Sequence, residues 1–392
     1  MAKAPRKDRT IVTHGGNDPE ANFGVVNPPI YRASTILYPT LRDMQERGRK
    51  KFDAVYYGRY GTPTTFAFEA AVAELEGADR AVALPSGLAA CTGALLSFLQ
   101  SGDHLLMVDS TYEPTRAFCD QQLTRFGIST TYYDPLIGAD IAKLIQPNTK
   151  VVYMESPGSH TFEIQDVPAI TAAARTRGCT TMIDNTWATP LYFKPFDHGI
   201  DLSIHAATKY IAGHSDVMMG VITMGEAHYK RVKTAVHGLG MAVSPEDCWL
   251  ALRGMRTLSV RLAQHQQTGL ALARWLQARP EVDTVLHPAL PEHPGHKLWQ
   301  RDFKGASGLF SVILKPFSDD RVAAMLDGME IFGKGFSWGG YESLIIPSHL
   351  NTARTVSPWT AKGPTLRLHA GLEDPDDLLA DLDAGFARLR GN

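Results

Sequence analysis

Residues 80–109 read RAVALPSGLAACTGALLSFLQSGDHLLMVD, and their order decides the fold class. Arg80–Leu84 is a short apolar run of strand type, and Pro85-Ser86-Gly87 punctuates it. LAACTGALLSFL then continues at helical length, and His104–Asp109 is again an apolar run. Strand, tight turn, helix and second strand make one unit of a largely parallel sheet, because parallel neighbours need a crossover between them. The signal recurs at Lys150–Glu155, Thr180–Asn185 and Leu202–Tyr210, with helical periodicity across Val167–Gly178.

Upstream, Phe68, Val72 and Leu75 fall at helical spacing and Gly77 is a natural stop. Before residue 60 the chain loses its pattern. NPPIYRAST is proline-limited, DMQERGRKKFDAV is charged, and such a segment is expected to lie against another part of an assembly. Downstream, Ser244-Pro245-Glu246-Asp247 combines a cap, a first-turn proline and acids. Leu252, Met255, Leu258 and Leu262 prolong that apolar face, which predicts one long linking helix. SGLFSVIL, ESLIIP and TLRLHAG read as strands, and a last helix from Asp374-Pro375 lines up Leu378, Leu382, Phe386 and Leu389. The expected division is an arm (1–60), a large cofactor-binding domain (61–245) and a smaller C-terminal α/β domain (246–392).

Composition narrows the function. With 44% apolar and 20% charged residues over 392 positions, the chain can build a core and is no disordered polymer. Lys plus Arg is 39 against 41 acids, so nothing marks a nucleic-acid binder. Cys91, Cys119, Cys179 and Cys248 share no ligand spacing, which argues for buried reduced thiols in a cytoplasmic protein rather than a metal site or disulfide framework. Lys3, Arg6, Lys7 and Arg9 precede no apolar segment, so they read as a solvated end rather than a secretion signal. No apolar run reaches the length of a membrane span.

Lys209 stands at the end of LSIHAATKY, among apolar and small residues. An unpaired ammonium there is costly, and a neutral amine in a Schiff base with an aldehyde cofactor removes the cost; a lysine snorkelling to solvent is the plainer alternative. Asp184 closes the strand TTMID, where a carboxylate can anchor a pyridine nitrogen or simply cap a turn. Ser86-Gly87-Leu88 lies between strand and helix, where free N–H groups can hold a phosphate. Thr208 can add a hydroxyl, and Tyr112 can stack on a flat ring.

Seven segments carry a resemblance: YYGRYGTPT (56–64), LPSGLAA (84–90), DSTYEPTR (109–116), MESPGSHTFEIQDVP (154–168), IDNTWATPLYFKPFDHGIDLSIHAATKYIAGHSD (183–216), SWGGYESL (337–344) and TLRLHAGLEDPDDL (365–378). Together they resemble the pyridoxal-phosphate-dependent enzymes of cysteine and methionine metabolism, over essentially the whole length. The resemblance implies a fold-type I pyridoxal-phosphate transferase-like α/β architecture, with a mostly parallel mixed sheet. It implies Lys209 as the Schiff-base lysine, Asp184 on the pyridinium and Tyr112 stacked on the ring and serving catalysis. Ser86, Gly87, Leu88 and Thr208 would hold the phosphate of pyridoxal 5'-phosphate, with Tyr57 and Arg59 from a neighbouring subunit. Arg367 would take the substrate carboxylate, beside Ser337, Trp338 and the neighbour's Tyr57. The assembly implied is a homotetramer, a dimer of dimers with shared active sites.

Ala207 departs from the many relatives that place serine there, which removes one phosphate contact. Within that resemblance, gamma-acting relatives more often have serine in place of the second tyrosine of YYGR and leucine in place of Trp338, so the resemblance implies α,β-elimination of L-cystathionine to homocysteine, pyruvate and ammonia. Gamma-elimination and sulfur transfer to an acyl-homoserine are the alternatives within the family, and a non-catalytic regulator on the same fold is the alternative outside it. A dinucleotide-dependent oxidoreductase would need a GxGxxG turn, which PSGLAAC does not supply.

Overall fold

A seven-stranded sheet carries the site. Its strands are β1 (Arg80–Leu84), β2 (His104–Val108), β3 (Ser129–Tyr133), β4 (Thr149–Glu155), β5 (Thr180–Asp184), β6 (Leu202–His205) and β7 (Gly220–Met224), in the order β1-β7-β6-β5-β4-β2-β3. The computed structural model describes residues 6–350 and 354–391. From β3 to β6 all neighbours are parallel, whereas β7 runs antiparallel to both β1 and β6. β2, β6 and β7 are buried along their whole length, as apolar strands covered on both faces must be.

The crossover helices start where the sequence places caps. Ser86 Oγ accepts from Ala89 N at 3.0 Å to open Gly87–Phe98. Asp166 does the same for Val167–Thr176, at 3.3 Å from Ala169 N. The helix Pro63–Glu76 ends on Gly77 at φ +80°, the left-handed stop that a residue without Cβ adopts freely.

A second sheet, β8 (Val282–Leu286), β9 (Leu309–Leu314), β10 (Leu344–Pro347) and β11 (Thr365–His369), is antiparallel in the order β10-β11-β9-β8. The terminal helix Pro375–Arg390 covers it with Leu378, Leu382, Phe386 and Leu389, all buried. Each such side chain contributes roughly 1.5–3 kcal/mol on burial.

The long linking helix expected from the sequence is two helices, Pro245–Met255 and Leu258–Gln277. At the break, two arginines turn to carbonyls of other elements. Arg256 Nη1 reaches Val12 O (3.1 Å) and Gly15 O (2.9 Å), and Arg261 Nη2 reaches Tyr210 O (2.9 Å). The last of these bonds pins the residue next to Lys209. All four cysteines are free and buried.

The N-terminal segment is only partly coreless. Helix Asp8–His14 sinks Ile11 and Val12 against Phe68, Ala71 and Val72. Arg6 forks onto Glu74 at 2.6–3.0 Å, while Lys3 lies outside the described residues. Beyond that helix Phe23, Leu37 and Leu41 are 102%, 86% and 71% exposed. No described helix is long and apolar enough to cross a membrane.

Candidate active site

Lys209 sits where the chain reverses between β6 and β7. Its N–H meets Ala206 O at 3.1 Å and its carbonyl accepts from Gly213 N at 2.8 Å, so the backbone under the side chain is fixed. Its Nζ donates to Ser337 Oγ and lies 5.3 Å from the centre of the Trp338 ring. Burial, seconded by the positive charge of Arg367, lowers the Lys209 amine to about 8, and Asp184 opposes the shift. An amine in that range is the nucleophile a Schiff base requires.

The loop over the lysine is held close by its own backbone. A Cβ on Gly339 would stand 2.8 Å from Tyr210 N, so only glycine lets the loop lie on the Lys209–Tyr210 peptide. Ser337, two residues earlier, is itself at φ +79°, a left-handed conformation that a residue with a side chain adopts at a cost. The cost is offset by bonds to the site. Ser337 Oγ takes the Lys209 amine, and its carbonyl takes Arg367 Nη2 at 3.2 Å. Burial lowers Arg367 to about 10, well within the charged state at neutral pH.

Asp184 ends β5 with Oδ1 accepting from Thr186 N (2.9 Å) and Thr186 Oγ1 (2.5 Å). Its Oδ2 has the Cys91 thiol 3.9 Å away. Burial pushes the Asp184 carboxyl above its ordinary value, against the pull of the Thr186 bonds. Thr186 Oγ1 also accepts from Ala206 N at 2.9 Å, tying the aspartate turn to the lysine loop.

Tyr112 caps the helix Glu113–Phe118 and is partly exposed above the strand ends. Burial raises its phenol further from ionisation, aided by Cys91, Asp184 and Glu155. Gly87 opens its helix against the lysine loop, where a Cβ would stand 2.5 Å from Ala206 Cβ. Leu88 follows it at the partly exposed helix start. The Thr208 hydroxyl donates to Met219 O (3.1 Å) and accepts from Met219 N (2.9 Å), so any phosphate contact would share that hydroxyl with the reversal it closes.

Tyr57 and Arg59 stand apart from this group. Arg59 Nη1 donates to His237 O at 2.6 Å and its guanidinium covers the Tyr60 ring at 4.6 Å. Tyr57 is partly exposed on the same segment. The chain thus gathers Lys209, Ser337, Trp338, Arg367, Asp184 and Tyr112 by itself, and holds Tyr57 and Arg59 against a different wall.

Two further residues belong to the site and were not singled out from the sequence. Thr186 is one. Glu155, at the end of β4 and in register with Asp184, is the other: its Oε2 accepts from Tyr112 N at 2.7 Å and Thr111 Oγ1 at 3.3 Å. Burial, with Asp184 alongside, pushes the Glu155 carboxyl up to about 8. The available signal was an acid closing an apolar strand, the same signal that marked Asp184.

A lowered buried amine, a buried carboxylate with an oxygen to spare and a helix start cleared of side chain fit the aldehyde, ring nitrogen and phosphate of pyridoxal phosphate respectively. Fold and site together define a fold-type I, lysine-centred cofactor enzyme. The chain belongs to the family described as Cys/Met metabolism PLP-dependent enzyme, whose model matches residues 9–387. The cystathionine beta-lyase MetC of Escherichia coli (strain K12) is 44% identical over 98% of this chain and 100% of its own length. The L-alanine/L-glutamate racemase of Wolbachia pipientis wMel is 42% identical over 98% of both. Among solved structures, metB from Corynebacterium glutamicum superposes with a TM-score of 0.91 at 30% identity, covering 99% of this chain and 100% of its own.

Proposed function

We propose that the protein is a carbon–sulfur β-lyase that cleaves L-cystathionine to homocysteine, pyruvate and ammonia. The observation that carries the reading is the Lys209 amine, lowered to about 8 and set beside Ser337 Oγ with the Arg367 fork on the same loop. Pyridoxal phosphate, when bound, supplies the sink for the electron pair left by the Cα proton. Asp184, whose Oδ2 has only the Cys91 thiol at 3.9 Å among the described residues, would hold the ring nitrogen protonated. Arg367 grips the α-carboxylate with a planar fork that lysine cannot reproduce. Lys209 Nζ removes the Cα proton, and the same amine hands a proton to sulfur as the Cβ–S bond breaks. The C–H pair becomes the Cα–Cβ double bond, and the C–S pair leaves on the thiol. Water hydrolyses the released aminoacrylate to pyruvate and ammonia.

The kinship to named lyases supports this reaction, and the kinship to a racemase makes it worth testing at the bench. With L-cystathionine, pyruvate and homocysteine in equal amounts are the expected products. Formation of 2-oxobutyrate and cysteine, or racemisation of L-alanine or L-glutamate with the C–S bond left intact, would overturn the assignment.

The working assembly we propose is a homotetramer of two dimers, each dimer sharing its sites through the N-terminal arm. The exposed Phe23, Leu37 and Leu41 support that reading, since large apolar side chains clustered on one segment favour a protein neighbour. Tyr57 and Arg59 lie on the same arm and would reach the neighbour's phosphate.

A further inference from the structure

We propose that Glu155 is a positioning residue, which sets Tyr112 over the cofactor ring by accepting its backbone N–H. The inference rests on the cofactor reading above and adds a residue to it. Tyr112 follows β2 across a turn whose own backbone bond, Thr111 N to Val108 O at 3.2 Å, leaves out the Tyr112 N–H, and the next helix begins only at Glu113. The Tyr112 end of the turn is held from the side. Glu155 Oε2 receives both Tyr112 N at 2.7 Å and Thr111 Oγ1 at 3.3 Å, which fixes two consecutive residues on one oxygen. That oxygen is itself aimed by β4, because Glu155 N donates to the buried Gln165 Oε1 at 3.2 Å and the strand pairs in register with β5.

The position has a chemical requirement besides reach. Glu155 and Asp184 are register partners on adjacent strands, so their Cα atoms stand about 5 Å apart. Two anionic carboxyls there would repel, and burial pushes both upward, Glu155 to about 8. A protonated Glu155 still accepts the Tyr112 N–H through its carbonyl oxygen. A neutral group at position 155 would leave Asp184 as the single negative charge facing the ring nitrogen. What the site needs from position 155 is therefore a neutral acceptor at a set depth, and glutamine satisfies that requirement whereas alanine and aspartate do not.

The test is pyridoxal phosphate binding to the cofactor-free full chain, read by equilibrium titration and by the circular dichroism of the band near 420 nm. The dichroism reports the asymmetric surroundings of the ring and not activity. Glu155→Gln is expected to keep the dissociation constant within about threefold and the dichroic amplitude unchanged. Glu155→Ala leaves a buried N–H without its acceptor, a loss of about 1–3 kcal/mol, and is expected to weaken binding roughly 5- to 150-fold with a reduced dichroic amplitude. Glu155→Asp keeps the carboxyl but withdraws the oxygen by one methylene, and is expected to follow alanine; it also serves if the alanine variant does not fold. Alanine or aspartate variants with wild-type affinity and dichroism would overturn the proposal, as would a glutamine variant as impaired as alanine. Wild-type protein that develops no 420 nm band would overturn the cofactor reading and this inference with it.

Discussion

Replacing Asp109 by asparagine should release a segment of the C-terminal domain from the main sheet. The Asp109 carboxylate lies just past β2 and is buried. It accepts from Arg116 Nη2, Thr355 N (3.1 Å), Thr355 Oγ1 (3.1 Å), Val356 N (2.9 Å) and Ser357 N (2.9 Å). Burial pushes this carboxyl up, but the N–H groups of residues 355–357 and Arg116 outweigh it and hold the group below the usual carboxylate range. Asparagine keeps the shape, removes the charge and turns one acceptor into a donor facing donors. Breaking a buried pair of this kind costs about 3–5 kcal/mol. Because the segment can swing into water, we set the local loss at the low end, about 3 kcal/mol, or roughly a hundredfold rise in the open population. Trypsin reads that population at the Arg354–Thr355 bond. In the closed state the Arg354 side chain is 5% exposed and held by Glu163 at 2.8 Å and Thr161 at 2.6 Å. When closing is fast, cleavage tracks the open fraction. Asp109→Asn should be cut at Arg354 about a hundred times faster than wild type at pH 8. A rate within threefold of wild type, with the global thermal midpoint unchanged, would refute the clamp.

Capture of pyridoxal phosphate by the cofactor-free chain should also depend on pH in a way set by Lys209. Burial lowers the amine to about 8 from an ordinary value of about 10.4. The neutral nucleophile therefore accumulates as pH rises and is nearly complete by about pH 9, so the rate of 420 nm band growth should climb to a plateau there; a continued rise to pH 10.5 would show an unperturbed amine. Arg367→Lys should keep the charge and lose the fork. At about 1.5–3 kcal/mol for a charge-assisted bond, KM for L-cystathionine should rise about 10- to 150-fold while kcat stays within about fivefold, measured by steady-state pyruvate release.

Much of this was readable from residue order, and the exceptions have physical causes. β2 and β6 are buried throughout and β4 and β5 over most of their length, so near-continuous apolar runs gave them away. β3, STTYY, lies at the sheet edge and is mostly half-exposed, with hydroxyls in place of an apolar pattern. β7, GVITM, is as apolar as its neighbours, but no helix announces it because it is an antiparallel return. The linking helix was overextended because Leu252, Met255, Leu258 and Leu262 keep helical spacing through a break at Arg256–Thr257, beside which Arg256 and Arg261 bond carbonyls distant in sequence. Asp184 was found because it ends an apolar strand, and Lys209 because it follows one; the strand read over Leu202–Tyr210 stops at His205, and Lys209 stands in the reversal beyond it. Glu155 has the same signature, but its task shows only when β4 and β5 are set side by side. Arg59 shows a different limit, since one chain's sequence does not say which chain's site an arm serves.

The antiparallel β7 also bears on how the protein is made. β1 pairs only with β7, so a ribosome that has released residue 84 must add roughly 140 more residues before that strand finds its partner. At ordinary synthesis rates the wait is about 7–28 s. Throughout it RAVAL has both its edges bare, an apolar ribbon with unpaired N–H and C=O groups. The lysine that defines the enzyme emerges before the strand that closes the sheet around it. Nascent chains stalled between residues 84 and 220 are therefore the ones that depend most on a chaperone.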